Sequence, residues 1–211
     1  VIASTLADAA AMAGGRLTGK DRQFAGISTD TRSLRAGELF VALQGPNFDG
    51  HDFLATARER GAVAALVARG RGDGGPQIEV DDTLHALGRL GAAWRLRAPA
   101  RVIGLTGSNG KTTLKEMIAA ILACRGEVLA TRGNLNNAIG VPLTLCRLGD
   151  EAYAVIEMGA NHAGEIDYLA RLVRPEVAVL NNAGRAHLEG FGSLEGVARA
   201  KAEIINGLGP G

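Results

Sequence analysis

What this chain has little of narrows its possible functions before any motif is read. It has no charge surplus of either sign: 23 Lys and Arg stand against 22 Asp and Glu, a formal net charge of +1. No overall field draws it to nucleic acid or to an anionic membrane, so any anion site must be built locally. It has only two cysteines, Cys124 and Cys146, which is neither a disulfide framework nor a zinc-ligand spacing; both sit in apolar surroundings and are expected to be buried, reduced thiols. Aromatics are scarce, with one Trp, two Tyr and five Phe. No apolar run approaches the roughly 20 residues of a membrane span, and the Ala-rich start carries Asp8 and no basic leader. A cytoplasmic protein is expected. Glycine, by contrast, is abundant: 30 residues, alongside 46% hydrophobic content, suit an α/β protein with many tight turns and a real core.

The pattern along the chain divides in two. Thr5 to Asp8 reads as a capping box opening a short helix that Gly14 and Gly15 end. Strands are predicted over 39–43, 62–67 and 78–80, a helix over 52–60, and turns at 44–50 and 69–76. Leu84, Leu87, Leu90 and Trp94 recur at helical spacing, which predicts a helix over 83–97 that Pro99 stops. The second half alternates strands at 102–106, 128–131, 153–158 and 177–180 with helices near 114–122, 139–147 and 165–173, and closes with a helix over 194–205. Alternation of this kind predicts a parallel sheet. In the first of these helices, Leu114, Met117, Ile118, Ile121 and Leu122 share one face and form its expected buried stripe. The expected organisation is a small α/β unit over 1–82, a connecting helix over 83–99 and a parallel-sheet unit over 100–211.

Ligands of parallel sheets bind beyond the carboxyl ends of the strands, and three such ends are chemically rich here. The first runs Thr106-Gly-Ser-Asn-Gly-Lys-Thr-Thr113 between an apolar strand and an amphipathic helix. Backbone N–H groups of such a loop, backed by a helix N-terminus, wrap phosphates; the lysine reaches the terminal phosphates and the next hydroxyl can hold Mg²⁺. The spacing departs from the common phosphate loop, because Leu105 stands where a glycine is usual, so this is a shortened variant. The bland alternative is a Gly-rich turn with a surface lysine. The second end delivers Glu157, a candidate Mg²⁺ ligand, against the alternative of a structural acid. The third is a polar loop over 181–192 with His187, which can ligate metal, orient a phosphate or cap the loop.

Lys201 lies on the expected face of Val197, Ala198 and Ile205, a lysine in an apolar stripe. Either it snorkels to water, or it is desolvated, in which case its pKa falls and the neutral amine can capture CO₂ as a carbamate. Glu195 and Glu203 are expected to face solvent, and His85 and His162 to be structural. The loop over 132–142 offers the amides Asn134, Asn136 and Asn137, and the stretches Ser28-Thr-Asp-Thr-Arg32 and Asp49-Gly-His51 can form a second anion site or be plain turn chemistry.

Taken together, the phosphate loop, Gly133-Asn-Leu-Asn-Asn137, Glu157-Met-Gly-Ala-Asn-His162 and Ala186-His-Leu-Glu-Gly-Phe-Gly-Ser193 followed by Lys201 resemble the Mur ligases in that order. Ser28-Thr-Asp-Thr-Arg32, Gly37-Glu-Leu-Phe-Val-Ala-Leu43 and Phe48-Asp-Gly-His-Asp-Phe53 resemble the amino-terminal substrate domain of that family, so the resemblance covers essentially the whole chain. The resemblance implies ATP-driven amide bond formation by way of an acyl phosphate, with a UDP-muramoyl-tripeptide and D-Ala-D-Ala as small-molecule substrates. It implies that Gly107, Ser108, Asn109, Gly110, Lys111, Thr112 and Thr113 bind ATP, with Lys111 stabilising charge on the transferred phosphoryl group. Thr112, Glu157 and His187 would hold Mg²⁺, and Lys201, as a carbamate, would support a second ion. Asn134, Asn136 and Asn137 would lie near the muramoyl peptide; Ser28, Thr29, Asp30, Thr31, Arg32 and His51 would lie near the uridine diphosphate. The fold it implies is a small amino-terminal α/β domain followed by a phosphate-loop parallel-sheet ATPase domain, here cut short, in an enzyme that works as a monomer; the 211 residues alone are expected to lack ligase activity. The alternatives are a Mur ligase of other amino-acid specificity, against which the 133–137 and 186–192 stretches speak, and a nucleotide-binding module without ligase chemistry.

Overall fold

The computed structural model describes residues 1–184 and 188–209 and divides the chain into two compact units, Val1–Trp94 and Arg95–Gly211. The first is a five-stranded sheet ordered Arg16–Thr18, Gln77–Val80, Ala64–Ala68, Leu39–Val41, Ile27–Ser28; only the first pairing is antiparallel. The antiparallel edge strand Arg16–Thr18 and the pair Ala3–Thr5 with Gln23–Ala25 have no clear alternation in sequence, and pairing rather than propensity makes them strands. Phe40, Leu54, Ala57 and Val67 anchor the core of this unit. The helix Leu6–Ala13 starts as its sequence predicts, with the Thr5 hydroxyl accepting from the Asp8 N–H, and ends on Gly14 in the left-handed region. The predicted 52–60 helix is a 3₁₀ turn, Gly50–Phe53, running into Leu54–Glu59.

The second unit is a four-stranded, fully parallel sheet ordered Val128–Ala130, Tyr153–Glu157, Arg101–Thr106, Val177–Leu180. The phosphate-loop strand therefore lies between the other two strands whose ends carry polar loops. Register sharpens this placement: Leu105 pairs with Glu157 and Thr106 with Leu180, so Glu157 and residues 181–184 arrive level with the start of the loop. Helices Lys111–Ala123, Gly140–Leu145, Glu165–Val173 and Leu194–Ala202 pack around the sheet, the last continuing as a 3₁₀ turn, Glu203–Gly207. Among the described residues no helix is long and apolar enough to cross a membrane.

Three expectations about burial are corrected. In helix Lys111–Ala123, Met117 and Ile121 are 58% and 68% exposed, and the buried side chain is Lys115, at 1%. Leu114, Ile118 and Leu122 are only half-buried. The helix sits over the end of a short strand, Val128–Ala130, where a backbone carbonyl recruits the lysine in preference to an apolar contact: Lys115 Nζ donates to Thr131 O at 2.6 Å. In the last helix the buried stripe is Val197, Ala200, Lys201 and Ile204, rotated from the predicted one, so Ala198 and Ile205 face outward. Cys124 is exposed because it closes helix Lys111–Ala123 at its free end, while Cys146 is buried and burial pushes its thiol up to about 12. A thiol reagent at pH 8 is expected to modify Cys124 alone in the native protein and both cysteines in denaturant, as counted by intact-mass spectrometry; labelling of both at one rate under native conditions would contradict this packing.

Candidate functional site

The turn between strand Arg101–Thr106 and helix Lys111–Ala123 depends on Gly110, whose φ of 72° lies in the left-handed region. The first intrahelical bond runs from Leu114 N to Gly110 O at 3.0 Å. The N–H groups ahead of it form an orphan first turn with the helix dipole behind them. Lys111 folds back over the loop and its Nζ donates to Gly107 O at 2.9 Å. A cation, free N–H groups and the positive end of a helix dipole stand together here, a combination that favours an anion.

Beside it sits Glu157, 2% exposed at the end of an apolar strand. Its Oε2 accepts from Thr112 Oγ1 at 3.1 Å and its Oε1 from Asn136 Nδ2 at 2.8 Å, while its N–H donates to Thr131 Oγ1 at 2.9 Å. Three predicted site residues from three strand ends therefore meet at one carboxylate. Gly159 permits the meeting, since a Cβ there would stand 2.9 Å from Asn136 Oδ1. Among the described residues no ammonium or guanidinium touches this carboxylate, and a buried anion held only by neutral donors is a place where a cation is favourable. Among the described residues no three His, Cys, Asp or Glu side chains gather into a metal cage. One carboxylate and one hydroxyl next to a phosphate cradle nevertheless suit Mg²⁺, which keeps water and phosphate oxygens as its other ligands.

Lys201, from the last helix, is 2% exposed, so it does not snorkel. Its Nζ has one long hydrogen bond, 3.5 Å to Ala160 O, and lies 5.4 Å above the Phe191 ring. Burial, with Lys111 adding like-charge repulsion, lowers its pKa from the ordinary lysine value; Glu165 and Glu203 oppose the shift. Glu203 does not simply face water. Its carboxylate accepts from Gly164 N and Asp167 N at 2.9 to 3.1 Å and so caps helix Glu165–Val173 from outside. His162 and His85 pair with Glu165 and Asp82 respectively. His187 lies outside the described residues.

Asn134 and Asn137 are exposed, and Asn137 Oδ1 is occupied as a local cap for Ile139 N and Gly140 N. Sequence reading did not single out Asn182, Asn181 or Lys115. The first two stood in a polar loop with no spacing rule attached, and the third looked like a helix-surface residue.

In the first unit, Thr29, Asp30, Thr31 and Arg32 line a cavity of about 500 Å³ whose other walls are Phe40, Phe48 and Phe53. Phe48 and Phe53 stack with ring centroids 5.6 Å apart. Ser28 stays behind the cavity, its hydroxyl donating to Asp30 O at 2.9 Å. The Arg32 guanidinium holds the Asp30 carboxyl down at about 2. His51 is buried and both ring nitrogens are committed: Nε2 accepts from Ala68 N at 3.0 Å, which leaves the Nδ1 proton to donate to Asp49 at 2.6 Å. As placed, it supports the fold and does not present itself to a ligand.

Residues 105–211 match the Mur ligase middle domain and residues 23–95 match the Mur ligase family catalytic domain. The chain belongs to the Mur ligase family. A Mur ligase relative from Escherichia coli (strain K12), UDP-N-acetylmuramoyl-tripeptide--D-alanyl-D-alanine ligase, is 54% identical over 209 residues, 99% of this chain and 46% of the relative. MurF from Acinetobacter baumannii superposes with a TM-score of 0.94 at 42% identity, over all of this chain and 48% of that one. MurF ligase from Thermotoga maritima, solved in complex with ADP, gives 0.81 at 36% identity over 87% of this chain and 43% of its own. The chain thus spans just under half the length of these Mur ligases, and its α/β fold with a parallel second sheet is theirs.

The Asp49 carboxyl is held at about 2, first by the His51 backbone N–H and then by the imidazole and Arg71. An acid whose folded pKa lies below its unfolded value of 3.8 stabilises the fold above that pH, and the contribution is lost as pH falls toward 2. Asp49→Asn should therefore destabilise at neutral pH, with the gap to the parent closing below pH 4 in urea titrations; a gap constant with pH would contradict the assignment. Lys201 is a cation that the fold disfavours, so Lys201→Met should hold or raise the thermal midpoint. A midpoint several degrees lower would mean the ammonium is better satisfied than its contacts indicate.

Proposed function

We propose that the whole protein adds D-alanyl-D-alanine to UDP-N-acetylmuramoyl-tripeptide at the expense of ATP, in the cytoplasmic synthesis of cell-wall precursor. The observation that carries this reading is the junction of Thr112, Asn136 and the buried Glu157 beside a shortened phosphate loop, with a desolvated Lys201 in the same unit. The 54% identity to a ligase of that name supports the substrate assignment.

In this reading residues 1–82 bind the UDP moiety, 83–99 connect, and 100–211 bind ATP. The N–H groups of the first helical turn hold the phosphates, with Gly107, Ser108, Asn109, Gly110, Thr112 and Thr113 shaping the cradle. Lys111 leaves Gly107 O to follow the γ-phosphoryl group as the substrate carboxylate attacks phosphorus and ADP departs. The acyl phosphate so formed is attacked by the D-alanyl-D-alanine amine, which loses a proton as phosphate leaves. Thr112 and Glu157, with His187, would hold Mg²⁺, which when bound would offset phosphate charge. Lys201 has the lowered pKa that carbamate formation needs: its neutral amine adds to CO₂, a proton is released, and a carboxylate-like anion replaces the cation. Asn136 and its neighbours Asn134 and Asn137 face the muramoyl peptide. The cavity at residues 29–32, with its stacked Phe48 and Phe53, takes the uridine diphosphate. His51 stands behind it as support.

Phosphate release by the full-length protein should require ATP, UDP-muramoyl-tripeptide and D-Ala-D-Ala together, and Lys111→Ala should lower kcat by about 100- to 1,000-fold, the scale expected for one preorganised charge-stabilising donor. Release that is indifferent to either peptide substrate would overturn the reading.

A further inference from the structure

The shortened phosphate loop does not satisfy its own backbone. We propose that Asn182, from the end of strand Val177–Leu180, is a positioning residue that does this for it and thereby decides which N–H groups face the nucleotide. The proposal rests on the reading of this loop as the ATP site.

Three sets of contacts support it. Asn182 Oδ1 accepts from Ser108 N and Asn109 N, both at 3.1 Å, and its Nδ2 donates to Asn109 O at 3.0 Å. The Ser108 N–H is shared with the Asn182 backbone carbonyl, also at 3.1 Å. One carboxamide thus meets the loop as a neighbouring strand would, pairing donor with acceptor and acceptor with donor. Asn181 Nδ2 adds a bond to Asn109 O at 2.9 Å, and the Ser108 hydroxyl accepts from Gly184 N at 2.9 Å. The approach is close. A Cβ on Gly107 would stand 3.1 Å from Asn181 Cβ and 3.3 Å from Asn182 N, so a side chain there would crowd the clasp.

The consequence for the ligand is one of allocation. With the 108 and 109 N–H groups turned toward Asn182, the donors left for an anion are those of the orphan helical turn, ahead of the Leu114 N to Gly110 O bond. A longer loop can curl its early N–H groups around the phosphates. This one commits them to a second strand end, which fixes the position of the remaining donors and of Lys111.

The test uses the full-length protein and the variants Asn182→Leu, similar in shape without hydrogen bonds, and Asn182→Asp, which keeps both acceptor contacts, loses the Nδ2 donor and adds charge. Backbone amide exchange at Asn109, which depends on the carboxamide, should speed up about tenfold or more in Asn182→Leu and stay near the parent value in Asn182→Asp, while Ser108 keeps its bond to the backbone carbonyl of residue 182 in both. KM for ATP should rise about tenfold in Asn182→Leu with kcat within about threefold, and the thermal midpoint should change little. In Asn182→Asp the rise in KM should shrink with added salt, because its origin is repulsion of phosphate. Unchanged exchange at Asn109, or an ATP KM within twofold of the parent in Asn182→Leu, would overturn the proposal, as would a uniform loss of affinity for all three substrates together with a large fall in midpoint. Failure of the parent to release phosphate would defeat the ligase reading, and exchange at Asn109 would still decide for or against the clasp.

Discussion

A carboxylate taken out of water must be held by something, and most of the second unit is arranged around how Glu157 is held. It receives one hydroxyl from helix Lys111–Ala123 and one carboxamide from the loop after the neighbouring strand. Each donor comes from a different strand end, and only a parallel sheet brings several such ends to the same edge. The pairing of Leu105 with Glu157 sets the height at which they meet. A register slip of one residue would turn Glu157 to the other face and separate all three groups.

The same unit holds three lysines that are satisfied in different ways. Lys111 rests on its own loop carbonyls, and Lys201 is buried under a ring with a single long hydrogen bond. A third lysine is handled differently. Lys115, also buried, is bonded at 2.6 Å to Thr131 O and paired with Glu116 at 3.0 Å, and Thr131 in turn accepts from the Glu157 N–H. Lys115 ties the helix to the sheet, whereas Lys111 is held only by loop carbonyls and Lys201 by one long bond among the described residues.

Sequence patterning located the second sheet closely, because apolar runs bounded by Gly-rich turns leave few other readings; strand 177–180 and helix 165–173 carry the predicted bounds. Helix periodicity failed where polar partners compete with apolar burial. Lys115 went inward because a carbonyl was within reach, and Met117 and Ile121 went outward with the same turn of the helix. His51 was legible as a conspicuous residue but not as a committed one, since its partner Ala68 N lies in a distant strand. Asn182 was unreadable for a related reason. Nothing local distinguishes an asparagine that ends a strand from one that braces a loop more than 70 residues earlier in the chain.

Strand Val177–Leu180 has one hydrogen-bonded neighbour among the described residues, the phosphate-loop strand itself. Its far end is fastened to the loop by Asn181, Asn182 and Gly184. Loop and strand end are therefore held by one set of bonds and open together. Anything that binds the closed loop and not the opened one would add its binding free energy to the cost of that opening.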